Sequence, residues 1–187
     1  LSKIVIITAP SGSGKTTIVK RLLESYPKLA FSISACTRNP RPGEQHGKDY
    51  YFLQEQDFLQ KIKDDAFIEW EMVYTGKYYG TLKTELQRIW DEGNYPLVDI
   101  DVQGALNIKQ KYPSNSISLF IKAPSMEELE RRLINRGTEN EQTLKERLNK
   151  ASEELTFAPQ FDKIVVNEKL EVAVEEIKNI IESFIGS

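Results

Sequence analysis

Apolar residues in this chain gather into short, nearly unbroken runs, separated by longer stretches where they recur every three or four positions. Four runs read as strands: residues 3–8 (KIVIIT), 96–101 (PLVDID), 116–122 (SISLFIK) and 163–167 (KIVVN). A strand with one wet face alternates apolar and polar residues. These hardly alternate, so they suit a parallel sheet covered on both faces. Between them, residues 15–25 put Ile18, Val19, Leu22 and Leu23 on one side of a helix. Residues 170–185 do the same with Val174, Ile177, Ile181 and Phe184, and a further helical run covers 82–90. Ser125-x-x-Glu128 and Thr138-x-x-Glu141 are capping-box patterns that open two charged helices. Strands alternating with helices predict an α/β fold built from right-handed crossovers.

One stretch breaks the rhythm. From about residue 31 to 83 the chain is rich in aromatics and turn residues, with Pro40, Pro42, Gly43 and Gly47 close together. It reads as an insertion with short strands between the first and second βα units, where α/β folds commonly build a binding site.

The sharpest chemical signal is Ala9-Pro10-Ser11-Gly12-Ser13-Gly14-Lys15-Thr16, which follows a buried strand and opens a helix. That is the setting of a phosphate-binding loop. Glycines at 12 and 14 permit backbone angles that turn successive N–H groups toward an anion, and the helix dipole adds to the attraction. Lys15 is placed to reach β/γ-phosphate oxygens, and Thr16 offers a hydroxyl to Mg²⁺. Ala9 stands where the general motif has glycine. The carboxylate of Asp99, on the second strand, is a candidate to hold the same metal, directly or through water.

Composition narrows the options. The chain has 187 residues, a net charge of -3, 40% hydrophobic and 28% charged residues, as in a soluble single domain. Nothing in that balance suggests a nucleic-acid partner, because the basic excess is missing. No apolar run is long enough to cross a bilayer, and the opening Leu1-Ser2-Lys3 does not read as a signal peptide. A single cysteine, Cys36, fits a reducing, cytoplasmic setting and reads as a packed side chain rather than a nucleophile. The single histidine, His46, sits in a polar turn and has no evident catalytic task.

Several separate strings resemble the guanylate kinase family. They are the 9–16 loop, Thr37-Arg38-Asn39-Pro40-Arg41-Pro42-Gly43-Glu44, Gly47-Lys48-Asp49-Tyr50-Tyr51-Phe52 and Phe67-Ile68-Glu69-Trp70. Tyr78-Tyr79-Gly80-Thr81, Asp99-Ile100-Asp101-Val102-Gln103-Gly104, Arg136-Gly137-Thr138 and Val165-Val166-Asn167 continue the likeness nearly end to end. It implies a P-loop-type parallel sheet core flanked by helices, a GMP-binding insertion of mixed strands and a helical lid. The core would take about 1–30, 84–124 and 158–187, the insertion about 31–83 and the lid about 125–157. The implied reaction is transfer of the ATP γ-phosphoryl group to GMP or dGMP, with Mg²⁺, by a monomer or homodimer.

The resemblance also implies residue roles. ATP would be held by Ala9, Pro10, Ser11, Gly12, Ser13, Gly14, Lys15, Thr16, Thr17 and Asn167, and the metal by Thr16 and Asp99. Arg38 and Arg41 supply guanidinium forks for the GMP phosphate, with hydroxyls from Tyr50 and Tyr79; Tyr78 is an adjacent rival to Tyr79. Glu69 matches the N1–H and N2 amine of guanine, Ser34 and Thr81 match O6, and Asp101 adds a contact on that side. Thr81 is equally placed to cap the helix that follows. Arg132, Arg136 and Arg147 would steady charge on the migrating group; outside the resemblance they read as surface ion-pair residues. Three rival readings stay in view: a kinase for AMP or UMP, a non-catalytic module that binds protein partners, and a plain hydrolase.

Overall fold

The computed structural model describes residues 3–135 and 141–186. Its order is β1 (Ile4–Thr8), α1 (Lys15–Ser25), β2 (Leu29–Phe31), β3 (Ala35–Cys36), β4 (Tyr51–Phe52), α2 (Glu55–Lys63), β5 (Phe67–Tyr74) and β6 (Lys77–Leu82). Then come α3 (Lys83–Asp91), β7 (Tyr95–Asp99), α4 (Val102–Lys111), β8 (Ser116–Lys122), α5 (Met126–Asn135), α6 (Glu141–Thr156), β9 (Lys163–Val166) and α7 (Leu170–Gly186).

The main sheet runs β2-β7-β1-β8-β9 and every pairing in it is parallel. All of β1 is buried, as its unbroken apolar run requires. Alternate residues serve opposite faces. Val5 and Ile7 pack with Ile18 and Leu22 of α1 and Ile177 and Ile181 of α7. Ile4 and Ile6 pack with Leu86 of α3 and Ala105 and Ile108 of α4. After β1 the chain moves toward one edge, and after β7 it crosses to the other side of β1. β1 and β7 therefore flank the reversal of strand order, where α/β sheets open a crevice for ligands.

A second sheet, β4-β3-β6-β5, is built from residues 35–82. It has its own small core of Ala35, Phe58, Phe67 and Leu82. Leu129 and Leu133 of α5 and Ala151 of α6 form another with Ala123. Three elements escaped the sequence pattern, among them α4, a ten-residue helix that directly follows the acidic strand end. β2 spans three residues, too short for a period to emerge, and it belongs to the main sheet although the insertion was expected from about residue 31. α2 buries only Phe58. The second expected strand also ends earlier, at Asp99, because Asp101 turns away to cap α4. The Ser125 capping box forms, with Glu128 N–H donating to Ser125 Oγ at 3.2 Å. The one at Thr138 lies outside the described residues.

Candidate functional site

The loop between β1 and α1 is shaped by its glycines. Gly12 and Gly14 hold φ of 91° and 92°, the left-handed region that side chains resist. Space forbids a side chain as well. A Cβ on Gly12 would press Leu133 of α5 at 3.1 Å, and one on Gly14 would collide with the Asn167 amide. Asn167 is buried, and its Nδ2 donates to the Ser13 carbonyl at 2.8 Å, so it braces the loop from beneath. α1 begins directly at Lys15 with no acidic residue in its first turn. Its leading N–H groups have no helical acceptors, and no acidic side chain of the helix's own first turn meets them. Thr16 and Thr17 stand exposed at that end, beside Ala9, Pro10, Ser11 and Ser13 of the loop.

Lys15 Nζ contacts Asp99 Oδ1 at 2.6 Å and donates to the Ile100 carbonyl at 3.3 Å. The register explains the meeting: Ile7 pairs with Asp99, so the ends of β1 and β7 lie side by side. Hard oxygen donors, the Thr16 hydroxyl and the Asp99 carboxylate, thus gather near the loop. Among the described residues no group of three or more His, Cys, Asp or Glu could hold a metal. The donor set fits a hard cation that takes one or two protein oxygens and completes its shell with phosphates and water.

Two arginines approach from the other side of the loop. Arg147 on α6 donates to Ser11 Oγ at 3.0 Å. Arg132 on α5 is half-buried, held by Glu128 at 2.7 Å and donating to the Asn167 carbonyl at 2.9 Å. Arg136 lies outside the described residues.

The second sheet contributes a different surface. Glu69 pairs with Thr81 and Glu71 with Tyr79 across β5 and β6, so these four share a face. Glu69 is 5% exposed, and the Thr81 hydroxyl donates to its Oε1 at 2.7 Å. Burial raises the Glu69 pKa to about 7; the Thr81 hydrogen bond opposes the rise and the Asp101 charge adds to it. Burial, then the Asp101 charge, pushes Glu71 upward too. Asp101 caps α4 through Gly104 N–H at 2.8 Å. A Cβ at Gly104 would collide with the Ile100 side chain at 2.5 Å and stand 3.0 Å from Glu69 Oε2, so glycine lets this helix start approach both.

The capping role considered for Thr81 is corrected by the structure. Leu82, not Thr81, occupies the N-cap of α3 and no side chain caps the helix, while the Thr81 hydroxyl donates to Glu69 across the sheet. Tyr78 and Tyr79 also separate. Tyr78 stacks on Phe58 at 5.5 Å, inside the small core, whereas Tyr79 meets Tyr50 edge-on at 6.2 Å. Tyr50 lies under the Arg38 guanidinium, 4.8 Å from ring centre to Cζ, and burial raises its pKa. Arg38, Tyr50 and Tyr79 are therefore together; exposed Arg41 lies in the adjoining turn and half-buried Ser34 in the crossing from β2 to β3. Cys36 is fully buried, as expected of a packed side chain.

Glu44 had no role in the sequence reading, though it closes the quoted 37–44 string. Its two oxygens accept from Arg38 Nη1 and Nη2 at 2.6 and 2.7 Å, and Oε2 also takes Arg41 N–H at 2.7 Å. The Arg38 hydrogen bonds, then that backbone N–H, hold the Glu44 pKa at about 2. A carboxylate three residues past Arg41 was the available signal. A second omission, Glu85 on α3, carried no signal beyond its place in a first turn; it is buried with partners in three segments.

Comparisons with known proteins agree with this architecture. The family model described as Guanylate kinase matches residues 1–184. A guanylate kinase of Porphyromonas gingivalis is 46% identical over 187 residues, covering all of both chains. One from Bacteroides fragilis is 45% identical over 185 residues, 99% of this chain and 91% of that one. The crystal structure of guanylate kinase from Anaplasma phagocytophilum superposes with a TM-score of 0.76 at 32% identity, covering 97% of this chain and 85% of that one. A shikimate kinase from Bacteroides thetaiotaomicron, 12% identical with a TM-score of 0.53, shares the fold.

Proposed function

The chain belongs to the guanylate kinase family, and on that premise we propose how its residues divide the work of phosphoryl transfer. The reaction carries the γ-phosphoryl group of ATP to GMP, giving ADP and GDP. A GMP phosphate oxygen forms the new bond to the γ-phosphorus as the bond to the ADP oxygen breaks. That oxygen is already largely ionised near neutral pH, with a second pKa of about 6, so no strong base is required. Catalysis then rests on positioning and on compensating charge.

On the donor side, the amides of residues 9–17 and the Lys15 ammonium hold the ATP phosphates. Asn167 acts mainly by bracing the loop through Ser13. Thr16 and Asp99 are the residues that would hold Mg²⁺. When bound, the ion draws charge from the β- and γ-oxygens. In the structure Lys15 and Asp99 neutralise each other at 2.6 Å. Arriving phosphates give Lys15 a stronger partner and leave Asp99 available. Arg147, already at Ser11, with Arg132 and Arg136, compensates charge on the group in transit.

On the acceptor side, Arg38, Arg41, Tyr50 and Tyr79 grip the GMP phosphate, with Glu44 holding the Arg38 fork. Glu69 accepts from guanine N1–H and the N2 amine and Ser34 meets O6; the Thr81 hydroxyl, which donates to Glu69 in the structure, turns its proton to O6 once the guanine donors satisfy the carboxylate, and Asp101 lies on the same side. The observation that carries this assignment is the buried Glu69–Thr81 pair. A desolvated carboxylate demands donors, and guanine offers two side by side where adenine offers no N1 proton. The separate hydrophobic cores of the second sheet and of α5–α6 support the division into core, insertion and lid.

The deciding measurement is coupled ADP production with GMP, dGMP, IMP, AMP and UMP in turn. GMP and dGMP should turn over and IMP, lacking the amine, should fall well behind. Equal turnover of AMP, or ADP release without any acceptor, would remove this reading.

A further inference from the structure

Glu85 is buried almost completely, with a side-chain exposure of 1%. Its Oε1 accepts from Ile33 N–H at 3.0 Å and from Arg88 Nη2 at 2.8 Å. Its Oε2 accepts from the Tyr51 hydroxyl at 2.8 Å and from Arg88 Nε at 3.1 Å. Both oxygens are thus filled, by donors from three parts of the chain: the crossing between β2 and β3, strand β4, and α3 itself. Burial works against its charge, but the donors from Arg88, Ile33 and Tyr51 outweigh it, and the carboxyl pKa is lowered.

The partners matter because of what adjoins them. Ile33 precedes Ser34, and Tyr51 follows Tyr50. The two segments are also joined directly, since Tyr51 N–H donates to the Ser34 carbonyl at 2.9 Å. α3 packs on the main sheet through Leu86. The carboxylate therefore ties both segments of the second sheet to a helix of the core.

We propose that Glu85 is a positioning residue for the acceptor nucleotide: with both oxygens spent on the tether, it touches no substrate and presets Ser34 and Tyr50 against the core. The inference rests on the reading that those two residues touch GMP. Its physical basis is preorganisation. Segments fixed in advance do not have to be ordered when the ligand arrives, so the tether acts on GMP affinity.

Two variants test it, with KM for each nucleotide, kcat and thermal melting measured in parallel. Tyr51→Phe removes one donor and leaves Arg88 and Ile33 on the carboxylate; KM for GMP should rise about threefold. Glu85→Gln puts an amide N–H where a donor already points; KM for GMP should rise about tenfold. KM for ATP should stay put in both. A lowered melting temperature with KM for GMP unchanged would make Glu85 a stability element only and overturn the proposal. A parallel rise in both KM values would overturn it as well. Should Glu85→Gln fail to fold, Tyr51→Phe decides alone. Ser34→Ala and Tyr50→Phe, made in the otherwise unaltered chain, check the premise. If neither weakens GMP binding, the pocket assignment falls, and this inference with it.

Discussion

The proposed donor site is one consecutive run, residues 9–17, which presents mostly backbone N–H groups, and two glycines at φ near 90° set their direction. The residues of the proposed acceptor site are spread from Ser34 to Asp101 and present side chains, several already engaged with one another: Arg38 with Glu44, Glu69 with Thr81, Asp101 with α4. The contrast follows from what each must recognise. A polyphosphate is a string of equivalent oxygens, and repeated amides at a helix start suffice for it. A purine edge is an ordered pattern of donors and acceptors, and only side chains of matching chemistry can read it. A backbone site tolerates changes in side chains but not in backbone angle or charge; a side-chain site is sensitive to single atoms.

The largest expected effect sits on the donor side. Lys15→Ala should lower kcat by about 10³-fold or more, judged from the loss of single charge-stabilising donors elsewhere. Coupled ADP release measures it. Asp99 loses its partner at 2.6 Å, but both side chains keep contact with water, so the fold should weaken far less than the activity does. Turnover within tenfold of the parent would mean that the loop does not carry the charge of transfer.

Next comes Glu69→Gln. Glutamine keeps an acceptor for the Thr81 hydroxyl but sets the N–H donors of its amide against the guanine donors, so kcat/KM for GMP should fall by about 10²-fold. Stability should move the other way. Glu69 titrates at about 7 in the fold against about 4.3 in an unfolded chain. The folded state therefore binds the extra proton. The stability this confers is complete below about pH 4, declines as pH rises and is gone above about pH 7. At pH 8 the glutamine variant should exceed the parent by up to ~3 kcal/mol, and near pH 4 the two should match. Urea unfolding at the two pH values distinguishes these outcomes.

The same titration bears on the intact enzyme. Guanine donors favour the carboxylate form, so KM for GMP should fall about tenfold between pH 6 and pH 8, part of it from the nucleotide phosphate itself. In Glu69→Gln only the phosphate part should persist. A profile identical in both proteins would separate Glu69 from base recognition. The smallest effect concerns one hydroxyl. Tyr79→Phe should raise KM for GMP about fivefold, whereas Tyr78→Phe, altered inside the Phe58 cluster, should leave it unchanged. The reverse result would exchange the two roles.

The donor site was legible in advance because it is local. Strand, loop and helix follow one another in the chain, so the order of residues is also the geometry. β1 is a further instance: its four consecutive apolar residues, Ile4 to Ile7, suit a strand buried on both faces, and the whole strand is buried. The acceptor side was legible as a set of residues, through several strings that resemble one family, but not as an arrangement. Tyr78 and Tyr79 are chemically alike and adjacent, and only the pairing of β5 with β6 assigns their faces. Thr81 looked equally fit to cap α3, until its hydroxyl met Glu69 across the sheet. Glu44 was visible without a role, and Glu85 was not visible at all, since nothing in a helix's first turn announces partners as far off as Ile33 and Tyr51.

The order of amino acids alone settled the period of the buried strands of the main sheet and of α1 and α7, the glycine-rich loop between β1 and α1, and the inventory of charged and hydroxyl groups, because these depend on near neighbours in the chain. Folding decided which carboxylates lost their water, which arginine found which acid and which tyrosine joined Phe58 and which Tyr50. Those outcomes depend on distances through space between residues far apart in sequence, and burial and Coulomb forces respond to nothing else.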